Sequence, residues 1–194
     1  MLTYSHFLTT ALLGDVLKRR TRVRLAPLLA GSVLPDVPIL LLTLGWFVYR
    51  GWFDPLAPGE HIYGPRYDTL FFENPVWVVS HNLLHAPFVI AGIVVVGMWW
   101  RRKEPAQGSM LVWFGLGCLL HTSADVLTHV EDGPLVLFPV DWHTRIVGFV
   151  SYWDPSYGAS TVRRVEALVD LAIASYFVVL WIRRRFPRRL TRSP

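Results

Sequence analysis

The apolar residues of this chain run in long blocks, and most of the blocks end at a cluster of Lys and Arg. Residues 25–50, 75–100, 108–129 and 161–182 are each long and apolar enough to cross a bilayer as a helix. The 75–100 block holds no Asp, Glu, Lys or Arg at all. Residues 2–17 are also apolar, but a helix of that length is too short to span comfortably. Polar, Gly- and Pro-containing stretches at 51–73 and 130–160 read as loops. The pattern predicts an all-α polytopic bundle in one integral membrane domain. It has four spanning helices, a short N-terminal helix at 2–17 and a basic tail at 183–194.

Local signals place breaks within these blocks. In Leu34-Pro35-Asp36-Val37-Pro38 two prolines flank an aspartate. Each lacks an N–H and restricts the residue before it, so a bent or unwound stretch is expected there. Asn74-Pro75 has the cap and first-turn residues of a helix start. Pro87 is expected to kink the 75–100 helix beside His85.

Composition supports the same class. Of 194 residues 53% are hydrophobic, the mean hydropathy is +0.37, and nine Trp and seven Tyr suit interfacial belts. The formal charge of +5 is concentrated in three groups. These are Lys18 to Arg24, Arg101 to Lys103, and the arginines at 183, 184, 185, 188, 189 and 192. By the positive-inside rule all three face the cytoplasm. The loops 51–73 and 130–160 then lie outside, and the chain is a multi-pass protein of the cell (inner) membrane with a cytoplasmic C-terminus. Membrane lipid is the expected partner of the basic groups, and nucleic acid is not, because no cluster is interleaved with aromatics in a soluble module. Cys118 is the only cysteine, which excludes an intrachain disulfide. The basic residues follow the first apolar run instead of preceding it, so no cleaved signal peptide is expected. Oligomeric state is left open.

Against this background six ionisable side chains stand out: His6, Asp36, His81, His85, His121 and Asp125. A strongly polar group in hydrocarbon costs at least about 2.5–3.5 kcal/mol, so it needs a partner. His and Asp together are the ligand types of zinc and similar ions. His81 and His85 are four apart, as are His121 and Asp125, a spacing that shares one helix face. His129 extends the second pair to H-x3-D-x3-H. The plain alternative for each is a hydrogen bond between helices. Glu166 and Asp170, four apart, and Asp154 are weaker candidates for carboxylates orienting a ligand. No Gly-x-Ser-x-Gly elbow accompanies Ser123 or Thr128, so a serine hydrolase is not indicated.

Several short stretches, in order along most of the chain, carry a resemblance. Ser5-His6-Phe7, Gly31-Ser32-Val33-Leu34-Pro35-Asp36, Ser80-His81, Leu119-Leu120-His121-x3-Asp125-x2-Thr128 and Gly133-Pro134-Leu135 resemble the YdjM-like family of membrane-bound metal-dependent hydrolases. That family is thought to be distantly similar to zinc-dependent phospholipases C, whose helical core holds zinc with His and Asp. The resemblance implies metal roles for His6, Asp36, His81, His121 and Asp125. The family's usual H-R-G-x-T-H stretch is replaced here by Ser80-His81-Asn82-Leu83-Leu84-His85, so either histidine is the equivalent ligand.

The expected function is a metal-dependent hydrolase acting on a phospholipid-like ester or phosphodiester. One or two divalent ions, zinc first, would activate water, with Asp36 or Asp125 bridging or acting as base. The alternative is a non-enzymatic, metal-stabilised membrane scaffold or regulatory protein with a closed ligand set. A metal or proton transporter ranks third, since the inner halves of the helices show no polar relay.

Overall fold

The structure, a computed structural model, describes residues 1–186. The tail beyond that point, including Arg188, Arg189 and Arg192, lies outside the described residues. Eight α-helices make up the described chain: α1 (Thr3–Leu17), α2 (Leu25–Val33), α3 (Val37–Trp52), α4 (Pro65–Glu73), α5 (Pro75–Asn82), α6 (Pro87–Trp100), α7 (Pro105–Thr128) and α8 (Ala159–Arg185). A single 3-10 turn (Pro155–Tyr157) precedes α8.

Three segments are long and apolar enough to cross a membrane: Leu25–Trp52, Pro105–Thr128 and Ala159–Arg185. α5 and α6 meet the same standard only when taken together, across a bend of 51°. Burial is inverted relative to a water-soluble protein. Leu40, Leu41, Leu44, Val95, Val96, Leu168 and Leu171 are exposed. Ser5, His6, Thr10, Ser32, Asn82, His85, His121, Thr122 and Asp125 are buried. Apolar outside and polar inside is the arrangement hydrocarbon favours, since lipid solvates the first set and the second must find partners within the protein.

The breaks follow the local chemistry. Residues 34–36 leave the helix between α2 and α3, with Pro35 buried and Pro38 in the first turn of α3. The Asn74 side chain accepts from Val76 N at 3.0 Å and caps α5, with Pro75 as its first residue. α5 stops at Asn82, and residues 83–85 form a turn before Pro87 opens α6. α5 ends between His81 and His85, and only His85 joins the cluster described below. Their ring centres are nevertheless 4.9 Å apart, so the two histidines remain neighbours although the helix is not continuous. Tertiary bonds fix the break: Thr122 Oγ1 donates to His85 O at 3.0 Å, and the Asn82 side chain accepts from Leu135 N at 2.7 Å.

The stretch 51–73 is not wholly loop. α3 runs to Trp52, and α4 fills residues 65–73, with Pro65 as its first residue. The two are tied by a buried arginine. Arg50 bonds to Asp54 and, at 2.5 Å, to Glu60, and its guanidinium lies 5.4 Å from the centre of the Trp46 ring. Arg66 joins from α4, 2.8 Å from Asp54. The Ala57 N–H, helped by Arg50, holds the Glu60 carboxyl below its ordinary range, so this carboxylate is charged at neutral pH.

α7 is the central helix, packed on α2 and α6, with α1 against α2 and α8. α2 and α7 meet backbone to backbone. A Cβ on Gly31 would lie 2.1 Å from Phe114 O, and one on Gly117 would lie 2.2 Å from Leu28 O. Small residues allow this approach, which in lipid supplies van der Waals packing where no hydrophobic force acts between helices. Ser32 and His121 sit one residue and one turn beyond that crossing, which is why they touch.

Candidate metal centre

Four side chains from three parts of the chain converge. Asp36 comes from the break before α3, His85 from the break after α5, and His121 and Asp125 from successive turns of α7. One ligand atom from each lies within 4.8 Å of all the others, and all but Asp36 are buried. His85 Nε2 is 2.9 Å from His121 Nε2 and 3.4 Å from Asp36 Oδ1. His121 Nε2 is 3.3 Å from Asp36 Oδ1 and 2.9 Å from Asp125 Oδ2.

The other ring nitrogens settle the tautomers. His121 Nδ1 donates to Ser32 O at 2.9 Å, and His85 Nδ1 donates to His81 O at 2.5 Å. A carbonyl can only accept, so each Nδ1 carries the hydrogen. In the neutral rings both Nε2 lone pairs then face one another, with two carboxylate oxygens beside them. Four acceptors without a donor require a cation. A proton satisfies one pair of them; a metal ion satisfies all four. Tetrahedral ligands about 2.0–2.1 Å from zinc stand about 3.3–3.4 Å apart, and the observed separations bracket that spacing. The donor set therefore fits a metal ion, and the tied Nδ1 atoms are the outer contacts that metal-bound histidines use.

α1 holds the far oxygens of both carboxylates. Thr3 Oγ1 donates to Asp36 Oδ2 at 2.6 Å, and His6 Nε2 donates to Asp125 Oδ1 at 3.0 Å. His6 also stacks on His121, with ring centres 3.7 Å apart, and the Met1 amino group lies 2.9 Å from Asp125 Oδ1. His6, expected as a ligand, thus spends its nitrogen on Asp125 and stands outside the set of four. Thr3 had no signal beyond polarity in an apolar run, and Ser32, although within the Gly31–Asp36 stretch, contributes a backbone oxygen that no side-chain pattern announces.

α1 is itself fastened to α8. Glu166 accepts from Leu2 N at 2.8 Å and Asp170 accepts from Ser5 Oγ at 2.6 Å, which places both carboxylates behind α1 and not against the ligands. His81 and His129 line a cavity of about 470 Å³ that opens beside Asp36, His85 and Asp125. His129 Nδ1 donates to Asp125 O at 2.9 Å, so its ring caps the end of α7, with Nε2 3.9 Å from Asp132 Oδ2. Asp154 is not brought to the site: its carboxylate accepts from Ser156 N at 2.7 Å and caps the 3-10 turn.

Comparison with protein-family models, curated proteins and solved structures finds no match to this chain.

Proposed function

We propose that this protein is a membrane-embedded, metal-dependent hydrolase of the YdjM-like kind, acting on a lipid ester or phosphodiester. The observation that carries the reading is the donorless meeting of Asp36, His85, His121 and Asp125 beside a cavity. Zinc suits two imidazoles and two carboxylates at these spacings. When bound, such an ion polarises an ester oxygen and lowers the pKa of water. The residues do the rest. Asp36 has 17% of its side chain exposed and faces the cavity, where it is placed to take a proton from water. His121 and His85 are held in one tautomer by Ser32 and His81.

The membrane arrangement belongs to this proposal. Leu25–Trp52, α5 with α6, α7 and α8 make four spans, and α1, at 15 residues or about 22 Å, stays short of crossing. Arg19 donates to Tyr176 of α8 at 3.1 Å, which sets the first basic cluster beside the half of α8 that ends in Arg183 to Arg185. The basic ends face the cytoplasm of the inner membrane. Thiols introduced at exposed Thr69 or Glu131 are expected to react with an impermeant maleimide on intact cells. Reaction only after lysis reverses the orientation.

A second reading has its own observation. Four protein ligands fill a tetrahedral ion, which is the pattern of structural zinc. On that reading the protein is a metal-stabilised scaffold, and the cavity is incidental. Elemental analysis of detergent-purified protein is expected to find about one equivalent of divalent metal under both; its absence after reconstitution defeats both. Cobalt replacement separates them. An open site changes its visible spectrum when a hydroxamate is added, and a closed one does not.

A further inference from the structure

The cavity beside the metal centre has a lopsided charge. Its lining holds four carboxylates, Asp36, Asp68, Asp125 and Asp132, and among the described residues no Lys or Arg side chain. One divalent ion leaves that lining negative, even with the Met1 amino group counted. Arg145 stands behind the wall, its guanidinium 5.2 Å from the centre of the Phe72 ring and donating to Gly133 O at 2.5 Å. The remaining wall is apolar and aromatic, with Ile39, Leu40, Phe71 and Phe72 on one side and Pro134 on the other. Leu40, Tyr63 and Trp153 form a rim and expose 51, 57 and 60% of their surfaces. Leu40 belongs to α3, within a candidate span, so the mouth reaches the hydrocarbon side as well as the loops.

These features discriminate between the two substrate chemistries a lipid hydrolase could meet. A phosphate ester brings negative charge into a pocket that has no cationic side chain to receive it, and Arg or Lys is how proteins usually bind that group. Repulsion from carboxylates is strong where water is scarce. An acyl ester of an uncharged lipid meets no such barrier, and its chain replaces solvent against Ile39, Leu40 and Phe72.

We propose that the cavity selects the carboxylic ester of a neutral lipid and rejects phosphate esters; this deepens the hydrolase reading and rests on it. In the reaction, water's oxygen joins the acyl carbon and the acyl carbon–oxygen bond breaks. One proton of the water goes to the departing alkoxide, and the other is released from the new acid, giving alcohol and carboxylate.

The test compares monooleoylglycerol with oleoyl lysophosphatidic acid, which share one chain and differ in charge. Binding to the zinc-reconstituted protein in a neutral detergent is followed by quenching of tryptophan fluorescence, with Trp153→Phe assigning the signal to the rim. The neutral lipid is expected to bind at least about tenfold more tightly. Asp132→Asn and, separately, exposed Asp68→Asn are expected to narrow that gap by admitting the anion. Equal binding of the two lipids, or preference for the phosphate, overturns the proposal, as does a gap unmoved by both variants. Release of oleate from monooleoylglycerol is measured alongside. A neutral-lipid preference without oleate release keeps the selectivity and overturns the hydrolase reading instead.

Discussion

Replacing His121 with alanine is expected to lower metal affinity by at least about 100-fold, because losing even an outer partner of a ligand costs about 10–100-fold. His121 touches three of the other acceptors around the centre: His85, Asp36 and Asp125. Asp125→Ala is expected to do the same, and the double variant to lose little more, since ligands of one ion act as a unit. His6→Ala gives an intermediate loss, about 10–100-fold, because it frees the Asp125 oxygen without removing a ligand. Metal content by elemental analysis after dialysis against a graded chelator, with thermal unfolding in detergent, checks the series. A purely structural His–Asp pair gives another pattern. Metal is then irrelevant, and each change costs roughly 0.6 kcal/mol, the average for hydrogen bonds between membrane helices. Unchanged metal binding in Asp125→Ala would remove the centre.

The second large effect lies away from the ligands. Gly117→Leu is expected to abolish folding or lower stability by more than about 3 kcal/mol, the upper range for overpacking. Its first side-chain carbon would collide with Leu28 O, a backbone atom that has nowhere to move without separating α2 from α7. Separation also breaks the bond from His121 Nδ1 to Ser32 O, so metal affinity falls with stability. Gly45→Ala is the control. Nothing lies within 4 Å of the carbon it adds, and a helical glycine made alanine gains about 0.5–1 kcal/mol. Thermal unfolding of both variants in one detergent checks the pair; equal behaviour would show that the α2–α7 crossing is not tight.

What the sequence disclosed follows from the range of each signal. Apolar block length, the Asn74-Pro75 start and the interruption around Asp36 depend on neighbours within a few residues, and they are legible. His121 and Asp125 share a face because α7 is continuous there. His81 and His85 stay neighbours, but only His85 enters the set of four, because α5 ends between them through bonds from Thr122 and Leu135, roughly forty to fifty residues away in sequence. No local pattern announces such bonds. α4 was hidden for a different reason: its nine residues are polar overall and amphipathic, so no apolar block marks them. Arg50 is fully buried by Asp54, Glu60 and Trp46, partners that no apolar-block pattern assigns to it. Thr3 is invisible as a partner of Asp36 until α1 is folded back across the break.

The polar face of α1 sets an order on biogenesis. Ser5 and His6 are buried, and their partners are Asp170 and Asp125, both emerging from the ribosome more than a hundred residues later. During that interval the helix carries unmatched polar groups, which water and headgroups solvate and hydrocarbon does not. On the membrane arrangement proposed above, α1 would stay at the membrane surface while the later helices insert, and would dock only after α8 has entered. Asp36 and Asp125 acquire their bonds to α1 at that moment, so capture of an ion by the proposed centre would belong to the end of assembly and report that the whole bundle has closed.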